Sequence, residues 1–400
     1  MVGYALGCRM RIAVVVNSLK MGGMERVACS LSDAFAKQGH DTHLIYFKDR
    51  KVEIKPSNSE VKLHLFNLQK WVLWSGIGCV WMILCRLLNI FFRKSFSIFF
   101  AYAEARAFAY KLKKLEQKTG QFDLIIFRGQ GTFTHVWPLK DKRFVFVCES
   151  TQNKEHFGKS SRHMYSLLFS ERRMVCVSEG AKRTLVDLLD SFSISCTSVL
   201  TISNPNDYAH ILRESVTLTP DVSYHEKPYI LGLGRLVPGK NFPLLIDAYC
   251  FARQHYGLKQ DLVLVGEGKE KEKIKSKIKA LGLEECVFLK GQQSNPFPWY
   301  KQADLFVLSS KSEGLGMVLI EALACGTRVV ATNCPGGVGD IMLGSLSGFL
   351  AEQTPESLAQ KMMLALEQAP TPNLEADIAK ALEQFDEEYI AKKYCDAYLT

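Results

Sequence analysis

The stretch DLFVLSSKSEGLGMVLIEALACGTRVVATN, residues 304 to 333, decides the fold class. DLFVLSS is a short, continuous apolar run of strand type, and TRVVATN is a second run rich in β-branched residues. Between them, MVLIEALACG repeats its apolar residues at helical spacing and ends at Gly326. A strand, a turn, a helix and a strand in this order predict two parallel strands joined by a helix.

The same alternation extends in both directions along the chain. The other strand candidates are RIAVVVN, DTHLIYF, VKLHLF, FDLIIFR, RFVFVC, RMVCVS, SVLTIS, PYILGLG, DLVLVG and CVFLKG. A polar stretch at residues 206–228 interrupts the pattern. The sequence therefore predicts an α/β chain of two doubly wound, Rossmann-like domains facing across a cleft, 1–205 and 206–400. The last helix is a candidate to pack back on the first domain.

Length and charge agree with this division. A chain of 400 residues is long for one core, and 47% hydrophobic with 23% charged residues is typical of a globular protein. Residues 1–205 hold 30 Lys and Arg against 16 Asp and Glu, or +14, while residues 206–400 hold 20 against 25, or −5. The first half is therefore the candidate to face nucleic acid, anionic lipid or a phosphorylated substrate.

Cysteine usage and the first residues indicate the compartment. The 12 cysteines are scattered singly through apolar runs, and no C-x-x-C pair occurs, so we expect buried thiols in a reducing cytosol. The opening MVGYALGCRM has no apolar run long enough for a signal sequence. We expect residues 1–9 to be a short extension before the first strand.

The turn KSEGLG indicates a ligand. A helix that begins directly after a strand offers unpaired backbone amides and the positive end of a dipole, which suit a phosphate oxygen. Those amides belong to Leu315, Gly316 and Met317. Glu313 and Glu321 would repel a phosphate, so we expect them to accept hydrogen bonds from hydroxyls on either side of it, as a nucleotide sugar provides. The alternative is a solvated turn and a surface helix.

A second cluster lies in GRLVPGKNFPLLIDAY, directly after the strand PYILGLG. Arg235 and Lys240 place two cations in a loop that contains Gly and Pro, at the carboxyl end of a strand. Such a pair suits a diphosphate. An ordinary basic surface loop is the alternative.

These motifs together resemble a known family. GRLVPGKNFPLLIDA, LVLVGEGKEKEKIK, VFLKGQ, ADLFVLSSKSEGLGMVLIEALACGTRVVATNCPGG and, near the front, NSLKMGGMERVACSLSDAFAKQGHDTHLIY are similar to the retaining GT-B glycosyltransferases of family 4. The bacterial members that build lipopolysaccharide cores, O-antigens and capsules are the most similar. The resemblance is strongest over residues 228–350 and weaker, but in order, over 10–205.

The resemblance implies a role for each matching residue. Glu313 contacts the transferred sugar, Glu321 holds the ribose, and Arg235 with Lys240 neutralises the leaving diphosphate. Further donor contacts are implied for Gly234, for the glycine loop at Gly22 and Gly23, and for Glu149, which stands where the family often has a histidine.

The implied reaction is a metal-independent transfer from a nucleotide sugar to a lipid-linked saccharide. No D-x-D motif occurs, so we expect no metal and no further cofactor, with the two cations in the metal's place. In the family the donor phosphate is thought to take the acceptor proton. Two other functions stay open: a GT-B sugar-nucleotide epimerase, and a non-catalytic saccharide- or lipid-binding protein on the same fold.

The apolar stretch WVLWSGIGCVWMILCRLLNIFF, residues 71–92, bears on location. Its tryptophans, including Trp74 and Trp81, and the following RKSF favour a helix lying at a membrane surface, and a buried core helix is the alternative. The Lys-rich helix near residues 266–282 has the charges of a solvated face, so we expect no nucleic-acid partner. We predict a cytoplasmic protein, peripheral on the inner face of the cytoplasmic membrane, with an anionic membrane surface as a partner.

Overall fold

The computed structural model describes residues 9–20, 22–49, 51–91, 95–155, 158, 161–217, 225 and 227–399. The chain forms two compact units, each built on one parallel sheet. The first unit comprises the described chain up to Val177, Ala181–Asn206 and the segment from Glu387 onward. The second unit comprises Ser178–Gly180 and Asp207–Asp386.

The first unit contains a seven-stranded sheet. Its strands are β1 Arg11–Val16, β2 Asp41–Tyr46, β3 Lys62–Leu65, β4 Leu124–Arg128, β5 Phe144–Cys148, β6 Arg173–Cys176 and β7 Ser198–Thr201. Its helices are α1 Gly23–Lys37, α2 Leu68–Trp74, α3 Ile77–Phe91, α4 Phe96–Thr119, α5 Gln130–Phe133, α6 Ser161–Phe169, α7 Glu179–Phe192 and the C-terminal helix Glu387–Leu399. The strand order is β3-β2-β1-β4-β5-β6-β7, so the order reverses between β1 and β4.

The second unit contains a six-stranded sheet. Its strands are β8 Tyr229–Leu233, β9 Asp261–Val265, β10 Val287–Gly291, β11 Leu305–Leu308, β12 Val329–Thr332 and β13 Leu350–Ala351, in the order β10-β9-β8-β11-β12-β13. Its helices are α8 Tyr208–Ser215, α9 Phe242–Tyr256, α10 Lys271–Ala280, α11 Phe297–Gln302, α12 Met317–Ala324, α13 Val338–Ile341, α14 Pro355–Glu367 and α15 Pro372–Glu383, which makes the C-terminal helix α16. Two short 3₁₀ turns occupy Pro238–Lys240 and Gly344–Phe349.

Burial on both faces explains why the strands are continuous apolar runs. Every residue of β4, β5, β9, β11 and β12 is buried, as expected of parallel strands covered by helices. In the first unit, Phe127 of β4 stacks on Phe146 of β5 with ring centroids 5.1 Å apart, and edge contacts connect it to neighbouring rings. The prediction of two parallel α/β sheets is confirmed.

Each of the twelve strand candidates contains a strand, and the differences lie elsewhere. The two-residue β13 was not predicted because two residues carry no periodicity. The polar stretch at 206–228 contains α8, which begins where the Asp207 side chain accepts a hydrogen bond from the His210 amide at 2.9 Å. Residues 218–224 and 226 of that stretch, and residues 1–8 of the expected N-terminal extension, lie outside the described chain.

The apolar stretch predicted at 71–92 is not one helix over its described part, residues 71–91, and residues 92–94 lie outside the described chain. Helices α2 and α3 meet at 109°, and Ser75 and Gly76 separate them. Ser75 Oγ accepts from the Gly78 amide at 3.1 Å, and Gly76 has a φ of +64°, which favours glycine. Among the described helices none is by itself long and apolar enough to cross a membrane; α2 and α3 meet the length and composition requirements only as a bent pair.

The apolar side chains of this pair are mostly exposed. Within α3 only Gly78 and Cys85 are buried, whereas Trp74 is 81% exposed and Phe91 80% exposed. The alternative of a buried core helix is therefore wrong. Trp81 is a second correction, because it packs against the core and its indole N–H donates to the Phe99 carbonyl at 3.1 Å.

Candidate functional site

The reversal of strand order in the second unit brings two loops together. Strands β8 and β11 are hydrogen-bonded neighbours, with Ile230 opposite Leu305. In open parallel sheets ligands bind outside the carboxyl ends of the strands at such a reversal. The loop after β8 carries Arg235 and Lys240, and the loop after β11 carries Glu313.

Lys240 and Glu313 form an ion pair at this point. Lys240 Nζ lies 2.6 Å from Glu313 Oε1, with side-chain exposures of 21% and 12%. Ser310 Oγ donates to the same carboxylate oxygen at 2.5 Å. An ammonium has three N–H donors, so contact with one carboxylate leaves Lys240 able to contact a further anion. Glu313 is therefore not a solvated turn residue.

Backbone contacts hold the two loops in this geometry. The Lys311 amide donates to the Gly239 carbonyl at 2.8 Å, and Ser309 Oγ donates to the Lys240 carbonyl at 3.0 Å. Gly234 adopts a φ of +154° beside the aliphatic stem of Lys240. Arg235 follows it with an exposed side chain. The loop thus presents one cation that is already paired and one that faces solvent.

The beginning of α12 lies directly beyond Glu313. Gly316 caps the helix with a φ of +100°, a conformation that side chains rarely adopt, and Leu315 beside it is buried. Met317 is the first helical residue, so its amide has no acceptor within the helix. The Glu313 amide donates to the Pro335 carbonyl at 3.0 Å, which fixes the approach to the helix. The Met317 amide and the helix dipole favour an anion here.

Glu321 lies one turn farther along α12 and is also held by the protein. The hydroxyl of buried Tyr300 donates to Glu321 Oε2 at 3.1 Å. Burial, together with the charge of Glu321, raises the pKa of the Cys325 thiol to about 12. Glu321 is partly buried rather than on an open helix surface, contrary to the alternative interpretation.

The first unit carries the remaining predicted residues. Gly22 precedes α1 in an extended conformation, and Gly23 begins that helix at a position where an added Cβ would meet nothing within 4 Å. Glu149 follows β5, and its Oε1 lies 2.5 Å from Nη2 of Arg128, the last residue of β4. Asn204 contacts both side chains, through Nδ2 to Glu149 Oε2 at 3.2 Å and Oδ1 to Arg128 Nη2 at 2.5 Å.

The sequence analysis did not identify four residues that contact the predicted ones: Ser310, Tyr300, Arg128 and Asn204. Arg128 gave a usable signal, because a charged residue ends the otherwise apolar run LIIFR. Ser310 precedes Glu313 by three residues in the same turn. Tyr300 and Asn204 gave none, since only the tertiary structure brings them to their partners.

The comparisons with known proteins agree with this geometry. The family model described as Glycosyl transferases group 1 matches residues 220–384, and the model described as Glycosyltransferase Family 4 matches residues 21–193. The chain is a GT-B glycosyltransferase of family 4. The first match spans Arg235, Lys240, Glu313 and Glu321, and the second spans Gly22, Gly23 and Glu149.

Individual relatives support the same conclusion. Over 366 residues the glycosyltransferase is 28% identical to the N-acetylgalactosamine-N,N'-diacetylbacillosaminyl-diphospho-undecaprenol 4-alpha-N-acetylgalactosaminyltransferase of Campylobacter jejuni, covering 89% of this chain and 90% of that one. A glycosyltransferase structure from Rickettsia africae has a TM-score of 0.71 at 18% identity, covering 98% of each chain. Anabaena HepE in complex with UDP and glucose has a TM-score of 0.68 at 18% identity, covering 97% of this chain and 99% of that one. At such identity, these structures show the fold.

Proposed function

We propose that this glycosyltransferase is retaining and metal-independent, and that it moves a sugar from a UDP-linked donor to a lipid-linked saccharide in cell-surface polysaccharide synthesis. The observation that carries the proposal is the Lys240–Glu313 pair at the ends of β8 and β11, with Arg235 exposed beside it. Cations for a diphosphate and a carboxylate for sugar hydroxyls stand within one loop pair.

The relatives support the choice of substrates. The Campylobacter relative is named for transfer to a diphospho-undecaprenol-linked saccharide, and the HepE structure contains UDP and glucose. Both names fit a site that combines a diphosphate region with carboxylates on either side. The donor is bound by the second unit in this proposal, with Glu321 on the ribose and Glu313 on the transferred sugar.

The proposed reaction follows from where charge develops. The bond from the anomeric carbon to the β-phosphate oxygen breaks, and the acceptor oxygen bonds to that carbon on the same face. The acceptor proton passes to an oxygen of the leaving diphosphate. Arg235, Lys240 and the first amides of α12 stabilise the charge of that leaving group, which is the usual source of the largest rate effect. Glu313 orients the sugar.

We also propose that the protein works at the inner surface of the cytoplasmic membrane. The support is the exposed surface of α2 and α3, which we call the α2–α3 surface: Trp74, Ile77, Val80, Ile83, Leu87, Ile90 and Phe91. Lys70 lies 5.9 Å from the Trp74 ring and Lys114 lies 4.8 Å from the Tyr110 ring. Apolar side chains with neighbouring cations suit an interface with anionic headgroups.

A screen of nucleotide sugars tests the proposed activity. Purified protein is incubated with UDP-glucose, UDP-N-acetylglucosamine and UDP-N-acetylgalactosamine, with and without a polyprenyl-diphosphate-linked saccharide, and release of UDP is measured. We expect release with at least one donor, increased by the acceptor, and transfer with retained anomeric configuration. Conversion of a donor into its epimer without UDP release would identify an epimerase, and no reaction with any donor would contradict an enzymatic role for the site.

A further inference from the structure

We propose that Arg128 is a positioning residue, which holds the Glu149 carboxylate as a hydrogen-bond acceptor for one hydroxyl of a substrate saccharide. The inference rests on the proposed function and adds a specificity element to it. Arg128 ends β4, Glu149 follows β5, and these two strands are paired neighbours beside the reversal of strand order in the first sheet. The carboxyl ends of parallel strands at such a reversal are where ligands bind.

The two side chains differ in solvent exposure, and this difference assigns them different roles. Arg128 is 0% exposed, whereas the Glu149 side chain is 16% exposed. A guanidinium without solvent exposure does not reach a sugar itself, so any effect on a substrate passes through its partner. The Glu149 side chain is partly exposed, although Oε1, which faces Arg128, is buried. A carboxylate has about four acceptor positions, so Oε2 keeps acceptor capacity beyond its bond from Asn204.

Two contacts hold the carboxylate, and a third joins the two residues that make them. Arg128 Nη2 lies 2.5 Å from Oε1, Asn204 Nδ2 donates to Oε2 at 3.2 Å, and Asn204 Oδ1 accepts from Arg128 Nη2 at 2.5 Å. Asn204 is itself 5% exposed. Each oxygen of Glu149 therefore has its own protein partner, and the side chain has one orientation rather than several.

The backbone beside Glu149 carries a glycine, Gly129, directly after β4. Gly129, the residue after Arg128, has a φ of +76°, and a Cβ there would overlap Met24 Sδ and lie 3.8 Å from Glu149 Cγ. Glycine is thus required here by the positive φ and by the Met24 side chain, and it adds no side chain of its own beside Glu149. An ionised acceptor of this kind selects a hydrogen-bond donor, and a sugar hydroxyl is the donor that both substrates provide.

The same strand offers a matched control. Arg143 immediately precedes β5, and its Nη1 lies 2.5 Å from Glu116 Oε1, with exposures of 21% and 18%. This pair has the same chemistry at the opposite end of β5, away from the carboxyl edge of the sheet. Arg143 also pairs with Asp141 at 2.7 Å, so Glu116→Gln reports what loss of one ion pair does to the first unit while the arginine keeps a partner.

The experiment compares Arg128→Met, Glu149→Gln, the double variant Arg128→Met/Glu149→Leu, and Glu116→Gln. Melting temperature, UDP affinity by calorimetry, and kcat and KM for donor and acceptor are measured. Single variants leave a charge without its partner and lose stability, whereas a double apolar replacement restores much of it. In Arg128→Met, Glu149→Gln and the double variant we expect the rate of transfer to fall roughly 10- to 100-fold, which corresponds to the loss of one hydrogen bond to a charged group. UDP affinity should not change. Glu116→Gln retains activity.

Deoxy sugars identify the source of the hydroxyl. If Glu149 contacts the donor sugar, one deoxy-UDP-sugar should be as poor with wild-type protein as with Glu149→Gln, and donor hydrolysis without acceptor should also fall. If the hydroxyl belongs to the acceptor, only transfer changes. Recovery of both stability and transfer in the double variant would show a purely structural pair and overturn the inference. A wild type that releases no UDP from any donor instead contradicts the proposed function.

Discussion

Each of the two units carries a cation and a glutamate at the carboxyl ends of neighbouring strands, but the two pairs differ in exposure. In the second unit Lys240 and Glu313 are 21% and 12% exposed, with exposed Arg235 beside them. In the first unit Arg128 is 0% exposed and Glu149 16%. An accessible cation can act on a ligand directly, whereas a buried one acts only through its partner.

The difference extends beyond these pairs. The first unit buries further ionisable groups, including His43, which is 0% exposed, hydrogen-bonds Asp41 at 3.2 Å and His64 at 2.8 Å, and contacts the Phe122 ring edge-on. Buried charge makes a unit sensitive to pH and to the loss of one partner. We therefore expect catalytic effects to dominate in the second unit and stability effects in the first.

The largest expected effect is on the exposed cations. Arg235→Ala or Lys240→Ala removes charge that stabilises the leaving diphosphate, so kcat should fall roughly 10²- to 10³-fold. Arg235→Ala changes an exposed side chain and should leave the melting temperature close to that of the wild type, whereas Lys240→Ala also removes the ion-pair partner of Glu313 and should lower it. Steady-state kinetics with excess EDTA measures both points, and activity should persist in the chelator.

Lys311→Ala is the matched control for Arg235 and Lys240, which we call the diphosphate clamp. Lys311 lies in the same loop pair, is exposed, and contacts Gly239 through its backbone amide, which the substitution keeps. It should turn over like the wild type. If Arg235→Ala and Lys240→Ala behave as Lys311→Ala does, the cations are an ordinary basic loop.

The second expected effect is loss of stability of the first unit in acid. Burial lowers the pKa of His43 from 6.5 to about 4, although Asp41 opposes the shift. Between pH 4 and pH 6.5 the unfolded chain binds more protons at His43 than the folded chain does. The contribution of His43 to the free energy of unfolding is therefore complete above pH 6.5 and is lost by about pH 4. A shift of this size corresponds to roughly 3 kcal/mol. Burial raises the pKa of Asp41, but hydrogen bonds from Lys62 and Arg11 lower it by more. Protonation of Asp41 at still lower pH therefore also reduces the free energy of unfolding.

Urea unfolding at pH 7.5 and pH 5 checks this effect. Four of the five tryptophans, Trp71, Trp74, Trp81 and Trp137, belong to the first unit, so their fluorescence reports mainly on it. His43→Gln should be less stable than the wild type at pH 7.5 and should lose less stability between the two pH values. Exposed His255→Gln should behave as the wild type does. Equal losses in the wild type and His43→Gln would contradict the assignment.

The third expected effect separates the two glutamates of the exposed site. Glu321→Ala removes a contact made before and during reaction, so KM for the donor should rise about tenfold with a smaller change in kcat. Glu313→Ala should mainly lower kcat, because its contact is proposed to orient the reacting sugar. Tyr300→Phe removes the hydroxyl that holds Glu321 and should resemble a mild Glu321 variant. Small, equal effects in both glutamate variants would contradict the assigned roles.

The sequence predicted the fold and the site best where the residues involved are adjacent in the chain. The strands were predictable because buried parallel strands are continuous apolar runs, and Glu313 with Gly316 stood out because the strand, turn and helix are adjacent in sequence. The Lys240–Glu313 contact joins residues 73 positions apart, and the Arg128–Asn204 contact joins residues 76 apart. Periodicity says nothing about such pairs, since the strand order of the sheet creates them.

The break at Ser75 and Gly76 shows a different limit. Hydropathy marked residues 71–92 as one apolar segment because a serine and a glycine hardly lower the average. Local chemistry overrides that average, since the Ser75 hydroxyl caps α3 and Gly76 takes a positive φ. Of the tryptophans on either side of the break, Trp74 is exposed and Trp81 packs against the core.

The smallest expected effect concerns the α2–α3 surface. Each basic side chain near an anionic surface contributes about 1 kcal/mol and is screened over about 10 Å at ordinary salt, while the exposed apolar side chains add burial in the interface. In a flotation assay, protein should rise with liposomes that contain phosphatidylglycerol, less with neutral ones, and less again at high salt. Trp74→Ser/Ile77→Ser should reduce flotation severalfold without lowering the melting temperature, because both side chains are more than 80% exposed. Leu343→Ser, an exposed apolar position in the second unit, is the matched control and should float as the wild type does. Two results would mean that this surface does not bind membranes: wild-type protein that stays at the bottom with anionic liposomes, or a double variant that floats as well as the wild type. The α2–α3 surface would then be exposed for another partner. The roles assigned to Arg235, Lys240 and the two glutamates of the second unit would not change.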